Sequence, residues 1–342
     1  MIKGLRNLTL AIAATGLIGS AFAQTYSNSP HFEDPGAHSR FHATWMMEVR
    51  LYALEHIGDD VDELIDEASE GLETAVGMLA GTLGAADAAL LERLEADLEA
   101  VSEAAEDGAD LTDLLAAARA TIEEVRSAVV PEGFAADPVS QATLLARLLL
   151  DDGGVAEGWE EAFDDETAEF AIGWAALQVS QGIWEGLEPL ASENQAFEIN
   201  DQMAFLHDEL FATWHIPENV HLMDGEAAEP PTHRIVTFLE VMTDAYLYPN
   251  RDLAPLVRLV EDLGVAACSA YGSDAAMGLE VMHQAFYYYD ENLRRMVGLF
   301  DPELHEATEG YFEGIIDGDL AAAEACVPLQ ENLSSVRTLL GG

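Results

Sequence analysis

Histidine is the residue whose type and placement in this 342-residue sequence point most directly to chemistry. Four histidines lie between His31 and His56, four between His207 and His233, and His283 and His305 stand apart. His38 and His42 are four residues apart, a spacing that puts both imidazoles on one helix face within reach of a single ion. His38, His42, Trp45, Val49, Tyr52 and His56 continue that stripe, with Glu48 and Glu55 beside it. Met46 and Met47 add soft sulfur suited to Cu(I). The competing use of such a stripe is packing at a helix–helix interface. Glu280-x-x-His283 is the second candidate. A carboxylate and an imidazole three apart on a helix form half of a bundle carboxylate-iron centre, and no second Glu-x-x-His completes it. The third is the stretch from Trp214 to His233, with His215, His221, Met223 and three prolines, which reads as a long loop. The expected centre places one ion where the first helix meets this loop. It uses His38 and His42 with His215 or His221, and Glu48 as an oxygen ligand if the ion is iron. Glu280 and His283 are the other location.

Other signatures are missing. There is no C-x-x-C-H for haem attachment, no H-E-x-x-H, no G-x-S-x-G and no glycine-rich phosphate loop. Carboxylates are too numerous to single out an acid–base pair.

The elements that must position these residues read as helices throughout. Asp34-Pro35 is a helix start, and the helix runs to about residue 57. Ala-, Leu- and Glu-rich helices follow over about 60–83, 86–105 and 111–130. Asp137-Pro138 opens a helix to 150, and Asp164 or Asp165 caps a long one ending at Pro189. Ser192-x-x-Gln195 is a capping box that starts a helix to about 213. Further helices are expected over 234–246, 253–263, 273–299, 302–316 and 320–340. No alternating β-branched run appears, so the expected class is all-α, with helical bundles arranged as two four-helix-like units. The hairpins 165–213 and 273–317 share a layout that suggests an internal repeat. The expected partition is 1–23 leader, 24–136 N-terminal helical region and 137–342 C-terminal helical domain.

Residues 1–23 have a positively charged start at Lys3 and Arg6, a short apolar stretch and an Ala21-Phe22-Ala23 cleavage pattern, which together read as a signal peptide. The expected location is therefore the periplasm or the exterior, with no membrane insertion after cleavage. The charge is extreme: 64 acids against 14 basic residues, a net −50. Such a surface repels nucleic acid and repels itself at low ionic strength, which suits a saline medium. The competing view is that the acidity itself binds metal. Cys268 and Cys326, in an exported chain, are expected to form a disulfide.

Trp184-Glu185-Gly186-Leu187-Glu188-Pro189, with Phe197-Glu198 and Thr308-Glu309-Gly310-Tyr311-Phe312, resembles the extracytoplasmic helical domain that accompanies high-affinity iron permeases. That domain shows an aromatic-Glu-x-x-Glu-Pro-like helix end, a turn and an acidic, Phe-containing helix start. The permease's transmembrane helices and its Arg-Glu-Gly-Leu-Glu signature are absent here. The resemblance implies a detached periplasmic iron-handling protein whose partner is a membrane metal transporter. The expected function is thus metal binding, with iron preferred and copper kept open by the methionines. The rivals are an interaction scaffold with structural histidines and a bundle holding non-covalent haem, and an enzyme ranks last.

Overall fold

A computed structural model describes residues 29–57, 61, 63–249 and 253–341. The signal-peptide reading lies outside the described residues. The described chain is all-α, with no strand. The α-helices are α1 (Pro35–His56), α2 (Leu64–Gly77), α3 (Ala80–Glu106), α4 (Thr112–Val129), α5 (Pro138–Leu150), α6 (Val155–Glu161), α7 (Thr167–Leu187), α8 (Glu193–Phe205), α9 (Glu229–Thr243), α10 (Leu253–Tyr271), α11 (Ala275–Phe300), α12 (Pro302–Ile316) and α13 (Ala322–Leu340). Among the described residues no single helix is long and apolar enough to cross a membrane. The pair α2 and α3 passes only when the two are taken together, and they are bent by 95°.

The chain divides into two compact units, Met1–His38 with Ala245–Gly342, and Ser39–Asp244. This differs from the partition expected at residue 136. The segment before α1 joins the C-terminal helices, a pairing that local sequence composition cannot reveal.

The first unit is a four-helix bundle in which α10 packs on α11 and α13, and α12 closes the ring between them. Its core includes Leu256, Leu263, Met282, Tyr289, Phe312, Leu329 and Leu333, with Phe32 from the N-terminal segment. The disulfide Cys268–Cys326 ties α10 to α13. Asp274 and Asp301 cap α11 and α12 by accepting from the backbone N–H groups of Met277 and Leu304.

In the second unit α3 pairs with α4, α6 packs on α7, and α5 contacts both α7 and α9. α6 and α7 touch backbone to backbone: a Cβ on Gly158 would lie 2.7 Å from Cα of Gly173. The capping box at Ser192 and Gln195 is present, as is the Asp137 cap of α5.

The two hairpins differ in construction. α11 and α12 pack along each other and are joined through Asp301. α7 and α8 are bridged by side chains across the turn: the Trp184 indole donates to Asn200 (2.7 Å), and the Asn200 amide donates to Glu188 (2.8 Å). α8 packs instead on α9. The Trp184 and Glu188 of the permease-like motif therefore have structural work at this joint.

Candidate metal centre

The buried polar groups of the first unit gather on α11. Glu280, His283, Gln284, Tyr287 and Tyr288 follow steps of three, one, three and one, which makes them one stripe of an α-helix. Glu280 is 1% exposed, Gln284 4% and His283 9%. The Asp274 cap fixes where this helix begins, and Val281, Met282, Ala285 and Tyr289 anchor it in the core on adjoining faces.

The N-terminal segment supplies two imidazoles to the same unit. His31 is fully buried, and both its nitrogens are engaged: Nδ1 lies 3.0 Å from the Tyr288 hydroxyl and Nε2 lies 3.0 Å from the Leu247 carbonyl oxygen. A carbonyl can only accept, so Nε2 carries the proton and a neutral ring accepts at Nδ1 from Tyr288. His31 is thereby a strut, with no lone pair left for an ion. Its spacing from His38 drew no attention in the sequence, and its partners lie 216 and 257 residues away. The His38 ring packs 5.0 Å from it, centroid to centroid, and is itself buried.

His283 differs from the other histidines of the unit. Among the described residues it makes no hydrogen bond, ion pair or ring contact, although His31 and His305 are both hydrogen-bonded. Burial pushes its pKa down to about 4, so the ring is neutral at pH 7. A neutral imidazole is the form that ligates metal. His38, Glu280 and His283 do not bring their ligand atoms within 4.8 Å of one another as a group of three. An ion bound there has to draw the side chains together.

The remaining expected ligands belong to the second unit. His42 is buried on α1, and Met47 of the same helix is fully buried. Glu48 is engaged by two guanidinium groups, Arg119 at 3.5 Å and Arg126 at 3.7 Å. Burial still raises its pKa, more than the two arginines lower it. His215 is exposed and lies against Trp214, ring centroids 3.4 Å apart. His221 sits on a short 3-10 turn, meets Phe163 edge-on and pairs with Asp165 at 3.6 Å. Among the described residues of this unit, His42, Glu48, His215 and His221 form no group of three ligand atoms within 4.8 Å. The stripe on α1 also divides. His42 and Val49 are buried, whereas Tyr52 and His56 stack at 4.0 Å beside Trp174.

No family model matches the chain, and no characterised protein or solved structure matches it either.

Proposed function

We propose that this is an exported helical protein that binds a metal ion in its C-terminal four-helix bundle, with His283 and Glu280 as ligands from α11. The observation that carries this reading is the buried, neutral His283 without a hydrogen-bond partner. Glu280, one turn earlier and 1% exposed, offers the oxygen donor in the same interior. Nitrogen with carboxylate oxygen suits a borderline divalent ion, iron among them, and the permease-like motif adds weight to iron. His38, brought into this unit by the N-terminal segment, is the third ligand we favour. A membrane metal transporter is the corresponding partner.

The test is calorimetry with Fe(II), excluding oxygen, and with Zn(II), both in molar salt so that surface carboxylates are screened. The parent should bind one ion, and His283→Ala and Glu280→Gln should each weaken it at least tenfold. A site that is lost in His42→Ala and kept in His283→Ala would move the centre to the second unit. A parent that binds neither ion would leave the scaffold reading, which His31 and His305, both used as hydrogen-bonding struts, favour.

A further inference from the structure

An open surface cleft in the second unit is independent of the proposed metal centre. Two adjoining cavities, of about 290 and 520 Å³, meet at Trp45 and Gly182. The smaller is walled by Phe41, Leu144 and Ile183 with Arg126 and Gln141, the larger by Tyr52 and Val179 with Glu48, Arg119 and Gln178. The walls come from α1, α4, α5 and α7.

Two features set the cleft apart. The first is glycine on α7. Glycine is a poor residue for a helix interior, and it is usually retained where another backbone comes close. Gly173 meets that condition, because a Cβ there would lie 2.8 Å from Cα of Gly158. Gly182 and Gly186 do not. A Cβ on Gly182 would meet nothing within 4 Å, and one on Gly186 would meet only Gln141 Oε1 at 4.0 Å. Packing does not require these two glycines, and what their missing side chains leave open is the cleft.

The second feature is unsatisfied donors. Trp45 Nε1 is shielded from solvent and has no hydrogen-bond acceptor, and Arg126 Nη2, shielded as well, makes no hydrogen bond and reaches only the Glu48 carboxylate at 3.7 Å. Both side chains line the smaller cavity. The rest of Arg126 is well held: Nε donates to Thr44, Nη1 to Glu123, and the guanidinium lies 4.7 Å over the Trp45 ring. Arg126 and Trp45 thus form a stacked pair in which the Trp45 N–H lacks an acceptor and Arg126 Nη2 has only the long ion pair with Glu48 at 3.7 Å.

Charge decides what can supply the missing acceptor. The two arginines of the cleft face Glu48, Glu55 and Glu123, and Arg119 is bonded to Glu55 at 2.6 Å. An anion would meet three carboxylates in a chain of net charge −50, and the arginines already fill the cation's place. We infer that the cleft binds an uncharged small organic molecule with an apolar body and a carbonyl or hydroxyl oxygen, held between Trp45, Arg126 and the open face of α7 at Gly182. Because the two donors are shielded, entry of the ligand turns Trp45 enough to present its N–H.

Three probes of one shape and different charge test this: benzamide, benzoate and benzylammonium, each titrated in molar salt. The readout is the Trp45 indole N–H resonance, identified by its loss in Trp45→Phe. Benzamide should shift it saturably with a Kd of about 1–10 mM, ordinary for a fragment of this size. Gly182→Leu should weaken that binding tenfold or more while the melting temperature stays at or above the parent's. His283→Ala should leave it unchanged, which separates this site from the proposed metal centre. Preferential binding of benzoate or benzylammonium would overturn the inference. So would the absence of a saturable shift with benzamide, or undiminished binding in Gly182→Leu.

Discussion

The imidazole of His31 accepts the hydroxyl of Tyr288 at Nδ1 and donates to the Leu247 carbonyl at Nε2, each at 3.0 Å, in a site with no exposure. These two bonds hold the N-terminal segment on the C-terminal bundle. His31→Ala removes both and leaves a cavity, at a cost of about 2–4 kcal/mol. Tyr288→Phe keeps the volume and loses one bond, at about 1–2 kcal/mol. Denaturant midpoints measured at constant slope give both numbers. Equal costs for the two would mean that neither the Leu247 bond nor the filled volume contributes.

Arg147 and Asp151 form an ion pair at 2.6 Å with side chains 2% and 3% exposed, one turn apart at the end of α5. Breaking a buried pair from one side strands a charge and costs about 3–5 kcal/mol. Asp151→Ala should therefore be severe. The double variant Arg147→Met/Asp151→Leu should recover most of that loss, because no charge remains to be desolvated. A double variant as unstable as the single one would assign the pair a role in shaping the end of α5.

The disulfide spans 58 residues of sequence, from α10 to α13. In the chain-entropy model a loop of that length contributes about 4 kcal/mol. Reduction, or Cys268→Ser with Cys326→Ser, should lower stability by about that amount, and thiol titration of the denatured, unreduced chain should find none. The pairing and its far end on the last helix were legible in the sequence; the near end was not, because the helix expected to stop near residue 263 runs on to Tyr271 and carries Cys268.

Where a helix begins was legible wherever a side chain does the capping. Asp34, Asp137 and Ser192 were read as starts, and each accepts a backbone N–H of its helix. The predicted start near residue 86 falls at Asp87, a kink inside α3 whose side chain accepts from Ala89 and Leu90. The break between α2 and α3, at Met78 and Leu79 just after Gly77, went unseen because the apolar periodicity continues through it. α6 was missed because its seven residues follow Asp151-Asp152-Gly153-Gly154, which looks like a turn. α9 begins at Glu229, since Pro230 and Pro231 occupy a first turn where no N–H is needed. The candidate site was legible in part. Glu280 and His283 follow from their spacing, whereas the strut at His31 and the two arginines that claim Glu48 depend on contacts between residues far apart in sequence.

The chain's acidity should make its stability depend on salt. With 64 acids and 14 basic residues, long-range repulsion opposes the folded state and is screened within about 10 Å at 0.1 M ionic strength. The melting temperature should climb between low and molar sodium chloride. Most of the climb should come at the low end, where the screening length changes most. A flat profile would show that the carboxylates are too dispersed to repel measurably.

Glu157 gives the second unit a pH dependence of its own. It sits on α6 and accepts from the Gly153 N–H, and burial, then Asp152, Glu169 and Glu161, push its pKa up to about 7. Arg50, fully buried, has both Glu67 and Glu157 as its charge partners. The folded-state value lies above the ordinary one of about 4.5, so the folded protein holds this proton more tightly than the unfolded chain. The resulting stabilisation is complete below about pH 4.5 and is lost as pH rises through 7, a loss of about 2–3 kcal/mol from this group. Glu157→Gln keeps an acceptor for Gly153, and Glu67 still faces Arg50. The variant should match or fall below the parent near pH 4.5 and exceed it at pH 8. Urea midpoints across pH 4.5–8 read the difference directly. A gap between variant and parent that stays constant over that range would mean that Glu157 is ionised in the folded protein throughout, held so by Arg50.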